Sequence, residues 1–245
     1  MHGCGNDFLL VEGPQEIAPS RVRSLCDRRT GIGADGIIVI TPGEGVRRAV
    51  VVHNADGTIA DACGNGYRCV ARYILDRSGG VSCELETPGG IVCARRDPAG
   101  IALDLAAPVL GETMLVEHGG CALPARSVRV GNPNVVVFVE NVADVDLPAL
   151  ARVAREAAGP ANVEAVVVRS LSEIELRVEE RGVGETLACG TGSCAAVAAA
   201  LADGRLQQDG PIVVSLPGGR LTVTPMGDRY VLAGPTEYVF EGSFA

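Results

Sequence analysis

Two cysteines stand in the same unusual setting. Cys63-Gly64-Asn65-Gly66 and Cys189-Gly190-Thr191-Gly192 each open an aliphatic or Ala-rich stretch that reads as a helix. Cysteine followed by Gly-x-Gly is a poor helix start if stability alone is at stake. It does place a thiol where unpaired backbone N–H groups and the helix dipole favour negative charge. Such a position is expected to lower a thiol pKa and supply thiolate near neutral pH. Two copies predict a site with two facing thiols: one removes a proton from a carbon, the other returns a proton to the opposite face.

The spacing indicates duplication. Cys63 and Cys189 are 126 residues apart, and Gly5-Asn6 and Gly131-Asn132 keep that interval, as do Leu75 and Leu201. Thr87-Pro88-Gly89-Gly90 returns as Leu216-Pro217-Gly218-Gly219, and Ala106-Ala107-Pro108 as Ala233-Gly234-Pro235, in the same order at nearly the same offset. A period this long excludes a solenoid and implies two copies of one fold.

The elements that must hold the thiols follow from the patterning. Pro19 to Arg29 reads as a helix, Gly36 to Thr41 and Val46 to His53 as strands, and Gly64 to Arg77 as a helix stopped by Ser78-Gly79-Gly80. Val81 to Glu86 and Ile91 to Arg96 read as a hairpin, followed by a strand from Ile101 to Leu105. In the second half the reading is strand Asn134–Glu140, helix Leu147–Ala158, strands Val163–Arg169 and Glu173–Glu179, helix Gly190–Asp203, and a hairpin from Pro211 to Thr224. Strands at Tyr230–Ala233 and Glu237–Phe240 complete it. The pattern predicts an α+β protein of two pseudo-symmetric domains, each a mixed or antiparallel sheet wrapped around a central helix, with the active site in the interdomain cleft. The halves are 1–112, joined by a C-terminal strand at 234–245, and 113–233, with the boundary near Pro108 to Glu117.

Composition removes several functions. The chain has 245 residues, a net charge of −9, four Phe, four Tyr and no Trp, which argues against a nucleic-acid partner. Its apolar runs are short and broken by Arg, Glu or Gly, so no membrane partner is expected. With no signal peptide in view and an odd number of cysteines, nine, the expected setting is a reducing cytoplasm with free thiols. All 21 basic residues of the Lys+Arg class are arginine, so the chain has no lysine for a Schiff base with pyridoxal phosphate or substrate. No C-x-x-C is present and only three His, so neither cofactor nor metal is expected.

The remaining polar motifs suit ligand contacts. Asn6, Asn54, Asn132 and Asn162 fall beside Gly, Pro or Ala at the ends of strand-like runs. Turn formation is the alternative duty for each. Glu180-Arg181 ends a strand; an Arg grips a carboxylate bidentately and a Glu accepts an ammonium, so together they fit a second amino-acid end. That favours a diamino-dicarboxylate substrate. Cys26, Cys83, Cys93 and Cys121 read as small hydrophobes, and Cys69 and Cys194 as packing under the two helix starts.

Gly5-Asn6-Asp7-Phe8, Arg29-Thr30-Gly31-Ile32-Gly33-Ala34-Asp35-Gly36, Asn54-Ala55-Asp56-Gly57, Ala62 to Cys69, Gly131-Asn132-Pro133, Asn162-Val163-Glu164 and Glu180 through Gly192 occur in order. In these motifs, over nearly its whole length, the chain resembles the diaminopimelate epimerase family. The resemblance implies interconversion of LL- and meso-diaminopimelate, in lysine and cell-wall precursor synthesis, without cofactor or metal. By motif, Cys63 and Cys189 would be the acid/base pair. Gly64, Asn65, Gly190 and Thr191 would hold the carboxylate at the reacting end. Asn6, Asn54, Asn132, Asn162, Glu180 and Arg181 would bind the other substrate groups. A homodimer is also implied. The chain departs from the family at Asn134, usually His, at Gly36, often Gln, and at Cys4, usually aliphatic. A two-thiol racemase of proline, histidine or another single amino acid would keep both cysteines without the Glu180-Arg181 clamp. A non-catalytic anion binder would need only the helix ends.

Overall fold

The computed structural model describes residues 1–13, 16–42, 45–60, 62–207 and 210–244. The chain divides into two compact units, Met1–Leu103 with Gly234–Ala245, and Asp104–Ala233.

In the first unit, strand Asn6–Glu12 runs parallel to Gly36–Ile40, with helix α1 (Pro19–Cys26) as the crossover between them. Gly36–Ile40 pairs antiparallel with Arg47–Asn54, which pairs parallel with Ser82–Thr87 after a second crossover through helix α2 (Gly64–Ser78). A hairpin to Gly90–Asp97 follows. The second unit repeats this order of partners. Asn132–Phe138 runs parallel to Asn162–Ser170, with helix α3 (Leu147–Ala158) between them; Asn162–Ser170 pairs antiparallel with Glu173–Glu180, and that strand parallel with Ile212–Leu216 after helix α4 (Gly190–Ala202). A hairpin to Gly219–Met226 closes the set. Each unit is therefore a mixed sheet with one helix on either side, the α+β plan read from the duplicated motifs.

Strand alternation assigns the two faces. In the first unit Ile37 and Val39 pack under α1 with Val22, Leu25 and Cys26. Ile38, between them, points the other way and lies against the start of α2. In the second unit Val163 and Ala165 pack under α3 with Leu147, Leu150 and Ala151. Burying each of these two leucines is worth roughly 1.5–3 kcal/mol. Helix α4 is buried from Gly190 to Ala200, because its Ala and Gly residues let strands approach from several sides.

The elements differ from the patterned reading in a few places. Helix α1 stops at Cys26 rather than Arg29, because the Asp27 carboxylate accepts from the N–H groups of Arg29 and Thr30 and turns the chain. The units divide at Leu103–Asp104, upstream of Pro108–Glu117. That segment is no linker: Val109–His118 is a strand that pairs with Cys121–Val130, which pairs in turn with Asn132–Phe138; in the first unit the two-residue strand His2–Gly3 stands at the place of Cys121–Val130. Residues 234–245 group with the first unit, yet Glu237–Phe240 forms no strand. It makes only an isolated bridge, His2 to Glu237, closed by two backbone hydrogen bonds of 2.9 and 2.8 Å. Ala245 lies outside the described residues. No helix among the described residues is long and apolar enough to cross a membrane.

Candidate active site

Each motif cysteine caps its helix. Cys63 (φ −146°, ψ 87°) is non-helical and its Sγ accepts from the Gly66 N–H at 3.4 Å. Cys189 is extended (φ −132°) and its Sγ accepts from the Gly192 N–H at 3.4 Å. The fourth residue of each motif has to be glycine for packing reasons. A Cβ on Gly66 would lie 2.7 Å from Ile38 Cδ1, and one on Gly192 would lie 2.6 Å from Glu164 Oε1. The Asn residues 126 apart also keep equivalent places: Asn6 and Asn132 each begin the parallel strand of their unit. Gly5 and Gly131 before them have φ of 81° and 66°, a region that L-residues with a side chain rarely enter.

Around Cys63 the structure brings together Asn6, Gly64 and Asn65. The Asn65 amide donates to Asn6 Oδ1 at 3.2 Å and accepts from Arg68 Nη2 at 2.9 Å. Asn6 in turn donates to Asp35 Oδ2 at 2.8 Å. Asp35 and Asp7 both receive Arg28. The direction of every donor in this chain fixes both amides. Asn54 is drawn into its own turn, donating to Thr58 Oγ1 at 3.0 Å, so it carries turn duty whatever else it does.

Around Cys189 the second unit gathers Thr191, Glu164 and Glu180. The Thr191 hydroxyl lies 3.3 Å from Cys189 Sγ. Glu180 Oε1 accepts from the Thr186 hydroxyl at 2.6 Å. Asn162 Oδ1 accepts from the Arg181 backbone N–H at 2.9 Å, while the Arg181 side chain is exposed. Asn134, buried, donates to the Asn132 carbonyl at 2.8 Å. Its Oδ1 is 3.5 Å from Asn162 Nδ2, so Asn134 stands between two candidate ligand residues.

The electrostatics of Cys189 correct one expectation. A helix N-terminus was expected to lower the thiol pKa. Burial instead pushes Cys189 well above the ordinary thiol range, helped by the charge of Glu180. The Gly192 N–H and Thr191 hydroxyl act in the opposite direction and do not outweigh burial.

Two residues of this neighbourhood were not singled out from sequence. Arg68 is fully buried inside α2, where it holds Asn65. Glu164 is fully buried on the strand behind α4. The available signal was a charge in an apolar run: Glu164 within Val163-Glu164-Ala165-Val166-Val167 and, less clearly, Arg68 within Tyr67-Arg68-Cys69-Val70-Ala71.

Two like units, each opening its central helix with cysteine, place the chain in a fold that solved epimerases share. It superimposes on a hydroxyproline epimerase from Agrobacterium vitis with a TM-score of 0.68 at 16% identity, covering 96% of this chain and 87% of that one. A PhzF-family phenazine biosynthesis protein from Bacillus anthracis gives a TM-score of 0.73 at 18% identity, over 96% and 92%. In sequence, residues 1–104 and 126–239 match the diaminopimelate epimerase family profile. The diaminopimelate epimerase of Desulfitobacterium hafniense is 36% identical, over 99% of this chain and 95% of its own length. The chain belongs to the diaminopimelate epimerase family.

Proposed function

We propose that this protein interconverts LL- and meso-diaminopimelate by two-thiol proton exchange, with Cys63 and Cys189 as the acid/base pair. The observation that carries the reading is the whole-length family match, with both halves of the chain keeping a cysteine at a helix start. In this reading the two sulfurs flank one α-carbon. A thiolate takes the α-proton; the opposite thiol donates its own proton to the other face, so the carbon inverts and the pair exchanges roles. An α-C–H is weakly acidic, and N–H groups at the helix ends, from Gly64, Asn65, Gly190 and Thr191, would stabilise charge spreading into the carboxylate. The two thiols titrate as a pair.

Asn6, Asn54, Asn132, Asn162, Glu180 and Arg181 would bind the rest of the substrate, mainly the distal amino-acid end. Arg181 supports this part of the reading, since its exposed guanidinium can grip a carboxylate bidentately. The nine cysteines are free, which fits work in the cytoplasm. Exposed apolar residues at the C-terminal end, Tyr238, Val239, Phe240 and Phe244, fit a homodimer surface.

The test is turnover of LL-diaminopimelate in deuterated water with no added cofactor. Deuterium at one α-carbon and formation of the meso isomer are expected. Exchange on proline or histidine, with none on diaminopimelate, would replace this reading with a single-amino-acid racemase. No exchange on any of them would leave an anion binder.

A further inference from the structure

Glu164 occupies the third position of Asn162–Ser170, and Ile38 occupies the third position of Gly36–Ile40. The two are 126 residues apart, the interval that separates the motif cysteines. Both lie against the glycine that caps the sulfur, Gly66 for Ile38 and Gly192 for Glu164. One fold position therefore holds an alkyl group behind one thiol and a carboxyl group behind the other. Glu164 is fully buried, and neither of its oxygens makes a hydrogen bond to another described residue. Ile38 shows that the position needs no polar atom, and burying a carboxyl without partners is costly.

We propose that Glu164 is a positioning residue for Cys189: kept as a neutral carboxylic acid, it turns its O–H toward the sulfur and steadies the thiolate when Cys189 acts as base. The proposal rests on the two-thiol reading above. A thiolate at Cys189 is formed in a buried site, beside Glu180, with the Gly192 N–H and the Thr191 hydroxyl as its present donors. The O–H of Glu164 would be a further neutral donor: its carboxyl stands 2.6 Å from where a Cβ on Gly192 would lie, and the Gly192 N–H is bonded to the sulfur. The proton stays on Glu164 throughout, so no bond is made or broken there.

The ionisable groups facing Glu164 are Cys189 at the start of α4, Glu180 from the neighbouring strand and Arg155 from α3. Burial first, then the Glu180 charge, keep Glu164 protonated far above the ordinary carboxyl range. Arg155 pulls the other way, but its guanidinium is engaged by Glu179 at 2.8 Å.

Two measurements test this without using turnover. Infrared difference spectra of wild type minus Glu164→Gln near neutral pH should contain the C=O stretch of a neutral carboxylic acid; only carboxylate bands there would overturn the proposal. Alkylation of Cys189 by iodoacetamide, followed across pH by peptide mapping with Cys63 as internal reference, supplies the second. Loss of a hydrogen bond to a charged group should make Glu164→Met about tenfold slower than wild type at equal pH. Glu164→Gln, whose amide still donates, should stay close to wild type. Equal rates in Glu164→Met and wild type, or faster labelling in Glu164→Gln, would overturn it. Both signatures in a chain that does not epimerise diaminopimelate would sink the proposed function and leave the role of Glu164 standing.

Discussion

The two halves share a topology and differ in what surrounds the sulfur. Behind Cys63 the duplicated positions hold Phe8, Gly36 and Ile38. Behind Cys189 the same positions, 126 residues on, hold Asn134, Asn162 and Glu164. The first thiol is thus backed by hydrocarbon, and the nearby polar side chains, Asn6 and Asn65, bond to each other, with Asn65 held by the buried Arg68. The second is backed by amides and acids, and Glu180 stands at the position of Asn54. One backbone plan therefore supplies two different electrostatic settings. At Cys189 burial and the neighbouring acid, rather than the helix end itself, set the direction of the thiol pKa, because they outweigh the Gly192 N–H and the Thr191 hydroxyl.

The largest expected effect tests whether both settings serve one reaction. Cys63→Ala and Cys189→Ala should each lower epimerisation by about a thousandfold or more, the usual scale of a lost general acid or base, with little change in melting temperature. If either alanine variant turns over near the wild-type rate, the pairing of the two halves fails.

Arg68→Met probes the polar side of the first half. It removes the charged donor to Asn65 Oδ1, at a cost of about 1–3 kcal/mol in denaturant unfolding. The freed Asn65–Asn6 pair should raise KM more than it lowers kcat. A variant with unchanged KM would show that the amides need no such anchor.

Gly66→Ala and Gly192→Ala compare what lies behind each cap. Each adds a methyl into contact under 3 Å, and overpacking of this kind costs about 1–3 kcal/mol. Ile38→Val should relieve part of the cost in Gly66→Ala and none in Gly192→Ala. A double-mutant cycle measured by urea unfolding checks this; equal relief in both would mean that Ile38 and Glu164 do not hold equivalent places.

The smallest effect is a pH dependence. The folded-state pKa of Glu164 is raised, so its contribution to stability is full below the unfolded carboxyl pKa and is lost as pH rises through the folded value. Glu164→Gln should therefore gain stability relative to wild type as pH climbs from about 4 toward neutrality, by about 1 kcal/mol or more. Thermal melts across that range measure it. Parallel pH curves for the two proteins would place an ionised carboxylate at 164 in the unfolded and folded states alike.

Much of this was legible in the chain. The Cys-Gly-x-Gly repeats marked the caps of α2 and α4 because a glycine pair followed by an aliphatic run leaves few alternatives to a buried helix start. Most of the strand and helix order followed from periodicity, but the opening strand Asn6–Glu12 lies outside the periodic segments read from the sequence. The hairpin Val109–Val130 was not read, since its strands are largely exposed and broken by Gly and Pro, which in sequence look like a boundary. Glu237–Phe240 had strand-like composition but gains only a two-residue bridge, because no neighbouring strand continues alongside it.

By itself the sequence determined the duplication, the two cysteine motifs and the absence of a lysine Schiff base, for these depend on residue type and interval alone. Only the tertiary structure decided which side chain stands behind each sulfur. Ile38 and Glu164 are a long way in sequence from the cysteines they back, and strand alternation inside a packed sheet is what turns each toward its helix start. The ionisation of Cys189 was decided there as well, because burial and the placing of Glu180 are properties of the assembled core and no local motif encodes them.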